Sequence, residues 1–396
     1  MKKGFTLVEL LAVIIILSVV SILVFPNVIE IVNQSKRNLY NVQVADIELE
    51  SKNWALENPD KLDKYHLNST FLPLLTLKKD GFLEVDDLEN PMNGKEMNGC
   101  IEIKYNPSTS QYTYKYYDDT CSTYVTDEMH GTIYSYDNGT LEKIEKNVLT
   151  PAAKSVIDYY QSNGIMNSIG GTTDGLYDLG DTYVFRGSDP SNYLKIGTEK
   201  YRILSIDKDY RMRIIKTTGD TTNWSDDTTY TNFLNSKVST SLIEYLETET
   251  NPINAFKDKI VDGTTLYVGP TSSSVMSYNV LKSVEATSTI SNKIGLINIS
   301  DYVIASLDNN CINNVYSGTC SNTNYLASTF GDGSVWTMNP SVESNKTMII
   351  QNKNIVSYSI NGTNDITFKV YSVINMNSNT FISSGTGTSN DPYVLN

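Results

Sequence analysis

Histidine is nearly absent from this chain, whose 396 residues include only His66 and His130. A serine or cysteine nucleophile needs a nearby base, most often histidine, and the long region after His130 offers none. A Ser-His or Cys-His catalytic pair is therefore excluded from the C-terminal part of the chain. We expect no catalytic residue, no enzyme activity and no cofactor.

Cysteine is also scarce, with four residues and no CxxC pair, so we expect no zinc site. Four cysteines allow three pairings, and we favour the local one because each pair then closes a short loop inside one predicted domain. This pairing joins Cys100 to Cys121 and Cys311 to Cys320. The alternative is four free thiols in a reducing compartment.

Positive charge is in deficit, because 31 Lys and Arg face 45 Asp and Glu, which gives a formal net charge of -14. No basic cluster interrupts this acidic surplus. An acidic protein repels phosphates, so we expect no nucleic-acid partner. The sequence also lacks a second long apolar run and a C-terminal wall-sorting motif, so covalent anchoring to a cell wall is not expected.

One long apolar run is present, at residues 5–25, and a single carboxylate, Glu9, interrupts it near its start. A helix of this length covers a hydrocarbon core of about 30 Å, which predicts a membrane span. Lys2 and Lys3 precede the run and place the N-terminus in the cytoplasm. A secretory signal peptide is the disfavoured alternative, because no small-x-small cleavage site follows. A carboxylate within such a run is costly and indicates a functional site.

Residues 4–9, Gly-Phe-Thr-Leu-Val-Glu, resemble the cleavage and methylation signature of type IV prepilins and pseudopilins. The resemblance implies that a prepilin peptidase cuts after Gly4 and that the new N-terminal Phe5 is methylated. It also implies that the helix waits in the membrane and then packs with copies of itself or other pilins. Glu9 matches the family's glutamate and Pro26 its helix-kinking proline.

The cut would create an α-ammonium at Phe5. Glu9, one helical turn along, then offers a countercharge to the terminus of a neighbouring subunit. The competing interpretation is an ordinary membrane anchor in which Glu9 lies near the interface.

We predict an α+β protein with a long hydrophobic N-terminal helix, a small pilin-like β head and a larger β-rich α+β domain. The hairpin is predicted from alternating segments at 100–105 and 111–116, joined by Asn106-Pro107-Ser108. The order of segments around it resembles the compact head of small Gram-positive pilins. The predicted divisions are a leader at 1–4, a helix at 5–58, the head at 59–122, a connector with a short helix at 123–172, and the C-terminal domain at 173–396.

Residues 176–396 resemble, in several short strings, an uncharacterised extracellular module at the C-termini of Gram-positive surface proteins. The strings include Lys-Ile-Gly-Thr at 195–198 and Val-Trp-Thr-Met at 335–338. Where that module has Arg-Pro, this chain has Tyr371-Ser372. The resemblance implies a relation to C-type-lectin and formylglycine-generating-enzyme folds and identifies no ligand for the outer domain.

Asp174, Asp178 and Asp181 supply oxygen ligands of the kind that calcium takes, but their spacing is not that of an EF-hand. We favour turns there, because Asp-Gly and Gly-Asp pairs are common turn formers. The same interpretation applies to Asp226-Asp227 and Asp332. Several aromatic residues can form either a stacking platform for a ligand or part of the core, and we favour the core. They are Trp224, Trp336, Tyr116-Tyr117 and Tyr159-Tyr160.

The sequence thus predicts an exported subunit of a type IV pilus-like filament that displays a large outer domain. Two alternatives share the same N-terminal residues. One is a minor or tip pilin that carries an adhesin, and the other is a pseudopilin of a type II secretion or DNA-uptake machine. A membrane-anchored enzyme or sensor that never polymerises is a third class.

Overall fold

The computed structural model describes residues 6–83, 88–225, 232–272, 274–360 and 366–396, without the side chains of residues 22–27. Asp226 and Asp227 lie outside the described residues. The chain divides into two compact units, Met1–Leu149 and Thr150–Asn396. The predicted α+β class is confirmed, because a long N-terminal helix precedes a larger β-rich part.

The first unit consists of a long helix, a five-stranded sheet and two short helices. In chain order its elements are α1 (Leu7–Glu57), a 3-10 turn (Pro59–Lys61), β1 (Ser69–Pro73), α2 (Leu74–Lys79), β2 (Cys100–Asn106), β3 (Gln111–Tyr117), α3 (Cys121–Tyr124), β4 (Gly131–Asp137) and β5 (Thr140–Lys146).

Helix α1 reproduces the predicted helix at 5–58 within two residues. It begins after the N-cap Thr6 and ends just before Pro59, whose fixed φ and missing N–H favour a helix stop. Its C-terminal part packs on the sheet, because Ile47 and Trp54 are completely buried. The Trp54 indole Nε1 donates a hydrogen bond of 2.7 Å to Asp80 Oδ2. The core of this unit therefore lies between the end of α1 and the sheet.

The sheet of the first unit has the strand order β3-β2-β1-β4-β5. The predicted hairpin is confirmed, since β2 and β3 pair antiparallel from Cys100 opposite Tyr117 to Asn106 opposite Gln111. Strand β4 pairs parallel to β1, with Ser69 opposite Gly131.

The predicted connector at 123–172 is wrong as a separate segment. Its first part forms β4 and β5, which complete the sheet of the first unit, and its second part belongs to the second unit. The head therefore reaches Leu149 rather than residue 122. The predicted end of the head is wrong because β1 pairs with β4, a strand about sixty residues away, and no local sequence pattern predicts such a pairing.

The second unit contains three sheets and several short helices among the described residues. Its helices are α4 (Ala152–Ser162), α5 (Lys237–Glu247), α6 (Tyr278–Glu285), α7 (Ile299–Ile304), α8 (Asn309–Asn313) and α9 (Tyr325–Phe330), with 3-10 turns at Phe233–Asn235 and Pro252–Lys259. Its strands are β6 (Asn167–Ser168), β7 (Gly175–Asp178), β8 (Thr182–Arg186), β9 (Tyr193–Ile196), β10 (Glu199–Asp207), β11 (Met212–Lys216), β12 (Asp220–Thr222), β13 (Thr265–Tyr267), β14 (Thr289–Ser291), β15 (Ile294–Gly295), β16 (Ser334–Pro340), β17 (Lys346–Gln351), β18 (Asn354–Ser359), β19 (Phe368–Val370), β20 (Val373–Met376), β21 (Ile382–Ser384) and β22 (Tyr393–Leu395).

The main sheet of this unit runs β15-β20-β11-β10-β8-β7-β6, and strands β9, β22 and β21 branch from β10. A second sheet runs β12-β19-β16-β17-β18, and β13 pairs with β14. The centre of the main sheet is apolar on both faces, since Ile203, Leu204, Ile214 and Ile215 are all buried. A continuous apolar run of this kind is typical of a strand that is covered on both sides.

The predicted helix after Thr150 is confirmed as α4, although its N-cap is Pro151 and no side chain caps it. The β-compatible run at residues 369–374 forms two strands in different sheets. β19 ends at Val370, and β20 begins at Val373. Tyr371 and Ser372 carry the chain from one sheet to the other, and a local β pattern does not reveal such a crossing.

Two disulfides join Cys100 to Cys121 and Cys311 to Cys320, and the described residues contain no free cysteine. This is the local pairing favoured above. The first bond ties the start of β2 to α3 within the first unit. The second closes a loop of the second unit that begins in α8.

Candidate functional site

The N-terminus of α1 carries a capping box formed by Thr6 and Glu9. The Glu9 carboxylate Oε2 accepts hydrogen bonds from the Thr6 backbone N–H at 2.9 Å and from Thr6 Oγ1 at 2.8 Å. The Glu9 backbone N–H in turn donates to Thr6 Oγ1 at 3.4 Å. Such a box satisfies backbone N–H groups that have no partner within the helix. Glu9 therefore caps its own helix, and its side chain is exposed to solvent.

The N-terminal part of α1 is an apolar surface without a covering segment among the described residues. Leu7, Val8 and Ile16 are 75%, 73% and 62% exposed. Eight further Leu, Ile and Val residues between positions 10 and 20 are also exposed, and exposed apolar side chains recur at Val28, Ile29, Ile31 and Val32. A contiguous apolar patch of this extent marks a surface that another molecule covers.

The structure describes little of the other predicted N-terminal site residues. Gly4 and Phe5 lie outside the described residues. Pro26 falls inside α1, and its side chain is not described. The predicted cut between Gly4 and Phe5 and the roles of Glu9 and Pro26 in assembly therefore remain predictions.

The three aspartates considered as calcium ligands have other partners. Asp174 accepts two backbone N–H groups at 3.0 and 2.8 Å, and Asp178 accepts the Gly180 N–H at 2.8 Å. Asp181 forms an ion pair of 3.2 Å with Lys282. No group of three or more His, Cys, Asp or Glu residues is placed to hold a metal ion in the part of the chain that the structure describes. These contacts fit the turn interpretation.

The aromatic residues considered as a stacking platform are mostly core residues. Trp224 and Trp336 are 3% and 2% exposed, and their rings lie 5.3 Å apart. Tyr116 and Tyr160 are buried as well, whereas Tyr159 is exposed. The core interpretation of both tryptophans is confirmed. Asp332, interpreted as a turn residue, forms an ion pair of 3.4 Å with Lys353.

A cavity of about 590 Å³ opens in the second unit, and the sequence patterns did not reveal it. Strands β8, β10, β11 and β13, helices α6 and α7, and the loop at 261–264 line it. Its volume is within the range of cavities that bind small molecules, about 300–1,000 Å³. It is a candidate site for a small molecule, whereas the N-terminal part of α1 is a candidate surface for another protein chain.

Glu285, the last residue of α6, is a buried carboxylate in the wall of this cavity and is 1% exposed. Its carboxylate accepts hydrogen bonds from the Ser300 backbone N–H at 3.0 Å and from the Ser300 hydroxyl. Burial raises the pKa of Glu285 to about 7, although the hydrogen bonds from Ser300 act in the opposite direction. A buried carboxylate with a raised pKa in a cavity indicates a functional group.

Glu285 differs from the other four carboxylates that line the cavity, because each of those has a cationic partner. Within the described residues, no Lys or Arg lies at ion-pair distance from Glu285. The four pairs are Asp301 with Arg213, Asp181 with Lys282 at 3.2 Å, Asp207 with Arg211 at 2.6 Å and Asp262 with Lys293 at 3.4 Å. No local pattern in the sequence indicates this difference, since Glu285 has the pattern of an ordinary residue at a helix end.

The exposed apolar side chains and the capped helix start lie in the same N-terminal segment of α1. Residues 1–25 match the family model described as a prokaryotic N-terminal methylation motif. The matched residues include Gly4, Phe5 and Glu9. The match supports a type IV pilin-like or pseudopilin exported subunit, processed by a prepilin peptidase and assembled with other pilins. It points to a structural subunit rather than an enzyme.

No curated protein and no solved structure matches the chain. The resemblance of residues 176–396 to an extracellular module thus gains no support and remains a prediction from the sequence strings alone.

Of the membrane span predicted at residues 5–25, Phe5 and the side chains of residues 22–25 lie outside the described residues. Among the described residues, no helix combines the length and the apolar character that crossing a membrane requires.

Proposed function

We propose that this chain is a subunit of a type IV pilus-like filament, exported to the cell surface and polymerised through the N-terminal part of α1. The observation that carries the proposal is the set of exposed apolar side chains on α1 between positions 7 and 20 and again between positions 28 and 32, in a chain whose first 25 residues match the methylation motif. In the assembled state, the corresponding surfaces of neighbouring subunits would cover one another. The second unit, Thr150–Asn396, would be displayed outward.

The cut after Gly4 prepares the chain for this step. It would leave Phe5 as the new N-terminus, directly before the Thr6–Glu9 capping box. The Glu9 carboxylate already accepts the Thr6 N–H at 2.9 Å, so a free α-ammonium at Phe5 would lie close to a negative charge. In a filament, the same carboxylate can pair with the ammonium of a neighbouring subunit, where surrounding apolar helices strengthen the attraction.

A change of Glu9 to alanine tests the proposal. We expect Glu9→Ala to be cut and accumulated at normal levels but to reduce filament yield at least tenfold, because the N-terminal charge then lacks its partner. Filaments sheared from cells and quantified by immunoblot give the measurement. Glu30→Ala is the matched control, because Glu30 is an exposed glutamate on the same helix.

Normal filaments from the Glu9→Ala strain would contradict the proposed pairing of Glu9 with the N-terminal ammonium, whereas a wild-type strain without filaments would favour a chain that never polymerises. Normal filaments from the Glu30→Ala strain are expected, since loss of one exposed charge elsewhere on α1 removes no N-terminal partner. A pseudopilin of a secretion or DNA-uptake machine would respond to Glu9→Ala in the same way. It differs in the product, which would be a short periplasmic or wall-spanning assembly rather than a surface filament.

A minor or tip pilin that carries an adhesin is the second candidate. The observation that favours it is the size of the second unit, which extends from Thr150 to Asn396 and has its own large hydrophobic core. Each copy in a continuous filament must fit beside its neighbours, and a tip position removes that packing requirement.

A further inference from the structure

In the cavity of the second unit, Glu285 has no Lys or Arg at ion-pair distance among the described residues. Five carboxylates and three cationic side chains line the cavity, and four of the five carboxylates are already paired. An ionised carboxylate buried without a counterion is costly, and a ligand cation that reaches it removes that cost. The surplus of negative charge also favours a cationic ligand over an anionic one.

The remaining walls of the cavity combine hydroxyl groups with apolar side chains. Three of the hydroxyls already donate hydrogen bonds within the chain, and their oxygens can still accept a hydrogen bond from a ligand. A saccharide fits such a mixed lining, because it carries several hydroxyls and also has apolar C–H faces. The apolar side chains are Val184, Val261, Leu266 and Ile304. The hydroxyl-bearing residues are Thr182, Ser205, Thr264, Thr265, Tyr267 and Ser300.

Tyr267 provides a flat face at the solvent side of the cavity. It lines the cavity, and its side chain is 45% exposed. Its position is fixed through the main chain, because the Tyr267 carbonyl oxygen accepts a hydrogen bond of 2.9 Å from Asn298 Nδ2. An exposed tyrosine ring of this kind packs against the apolar face of a saccharide ring while its hydroxyl stays in water.

We propose that this cavity binds an amino sugar, with the primary ammonium of the sugar at Glu285, its hydroxyls on the hydroxyl-lined walls and one ring face on Tyr267. The cavity of about 590 Å³ accommodates one or two sugar rings. This inference goes beyond filament assembly and does not depend on it, because the site lies within the second unit.

Titration calorimetry on the purified full-length chain tests the inference with three sugars that differ at one carbon. We expect glucosamine to bind at least tenfold more tightly than N-acetylglucosamine or glucose, because acetylation or replacement of the amine removes the charge. Glu285→Gln should reduce the affinity for glucosamine at least tenfold. Glu244→Gln, an exposed glutamate outside the cavity, should leave it unchanged.

Proton release gives a second, independent readout of the same contact. At pH 6, an amine in the α-amino range of about 7.7–8.0 is charged, whereas Glu285, with a pKa of about 7, is mostly protonated. Binding should therefore release close to one proton per site, measured in two buffers with different ionisation enthalpies. The Glu285→Gln chain should release none.

Other titratable and charged groups near Glu285 do not supply this proton. Asp301 and Arg213 form an ion pair with each other, and Lys282 pairs with Asp181. Burial raises the pKa of both neighbouring tyrosines, so they remain neutral at pH 6. These tyrosines are Tyr278 and Tyr316.

Equal affinity for glucosamine and glucose, unchanged binding by Glu285→Gln, or no binding of glucosamine at about 10 mM would each overturn the inference. Circular dichroism establishes whether Glu285→Gln is folded. If Glu285→Gln is unfolded, Tyr267→Ala tests the binding site instead, because it replaces an exposed side chain and leaves the core intact. Its affinity for glucosamine should fall severalfold, and an unchanged affinity would count against the site. Either failure leaves the filament proposal standing, because assembly is measured separately.

Discussion

Two glutamates of this chain have opposite environments, and their roles follow from them. Glu9 is exposed, and it caps the start of α1 through Thr6. Glu285 is 1% exposed, and its carboxylate accepts hydrogen bonds only from Ser300 among the described residues. Water stabilises the charge on the first carboxylate, whereas burial opposes ionisation of the second. At the residue scale, solvent exposure rather than residue type decides how each carboxylate behaves.

The stability of the second unit should depend on the ionisation of Glu285. Its pKa is about 7 in the folded chain against an ordinary value of 4.5, so between these pH values the folded state holds a proton that the unfolded state has released. Stability then falls as the pH rises through this window. Relative to Glu285→Gln, the wild-type chain should lose about 3 kcal/mol between pH 4.5 and pH 8.

Urea unfolding of both chains at pH 4.5 and at pH 8 measures this difference. Trp224 and Trp336 are buried in the second unit and report its unfolding by fluorescence. If the two chains show parallel pH profiles, Glu285 is not the group that carries the pH dependence.

At the scale of elements, α1 is one continuous helix with two different surfaces. Near its C-terminal end, Ile47 and Trp54 are completely buried on the sheet of the first unit. Near its N-terminal end, the apolar side chains face no described part of the chain. The C-terminal end of the helix is thus part of the core of the first unit, whereas its N-terminal end is free to associate with another chain.

Paired substitutions in α1 separate these two surfaces. Ile47→Ala should destabilise the first unit by about 2–5 kcal/mol, because it leaves a cavity where the side chain is completely buried. Val42→Ala, at a position that is 65% exposed, should change stability by less than about 0.5 kcal/mol.

Urea unfolding monitored by the fluorescence of Trp54 gives both values, in a background where the other two tryptophans are phenylalanine. Equal effects of the two substitutions would show that this part of α1 does not form the core of the first unit.

At the scale of the whole molecule, the chain consists of two units that each have a hydrophobic core. In the proposed filament, the second unit is displayed by every copy. Gold-labelled antibodies against residues 150–396 should therefore decorate filaments along their entire length in electron micrographs. Label confined to one end of the filament would contradict display by every copy and would support the tip pilin that carries an adhesin. The Glu9→Ala strain supplies the control, since its cells should present at least tenfold fewer labelled filaments.

Local patterns sufficed to predict several elements. The alternating residues on either side of Asn106 predicted the β2–β3 hairpin, and Pro59 predicted the end of α1. Local sequence patterns did not predict β4 and β5, because they indicate a connector at 123–172. The pairing of β4 with β1 depends on residues far apart in the chain, so the sheet order had to come from tertiary structure.

The predictions about the N-terminus came from the sequence alone, because a processing signature and an apolar run are local features. The sequence also identified the long helix, the hairpin and the favoured cysteine pairing, since each depends on residues close together in the chain. The end of the first unit and the cavity beside Glu285 could not be predicted in this way and required the tertiary structure. That cavity forms where β-strands and two helices from distant parts of the chain converge, and among the described residues its wall holds one carboxylate without a Lys or Arg at ion-pair distance.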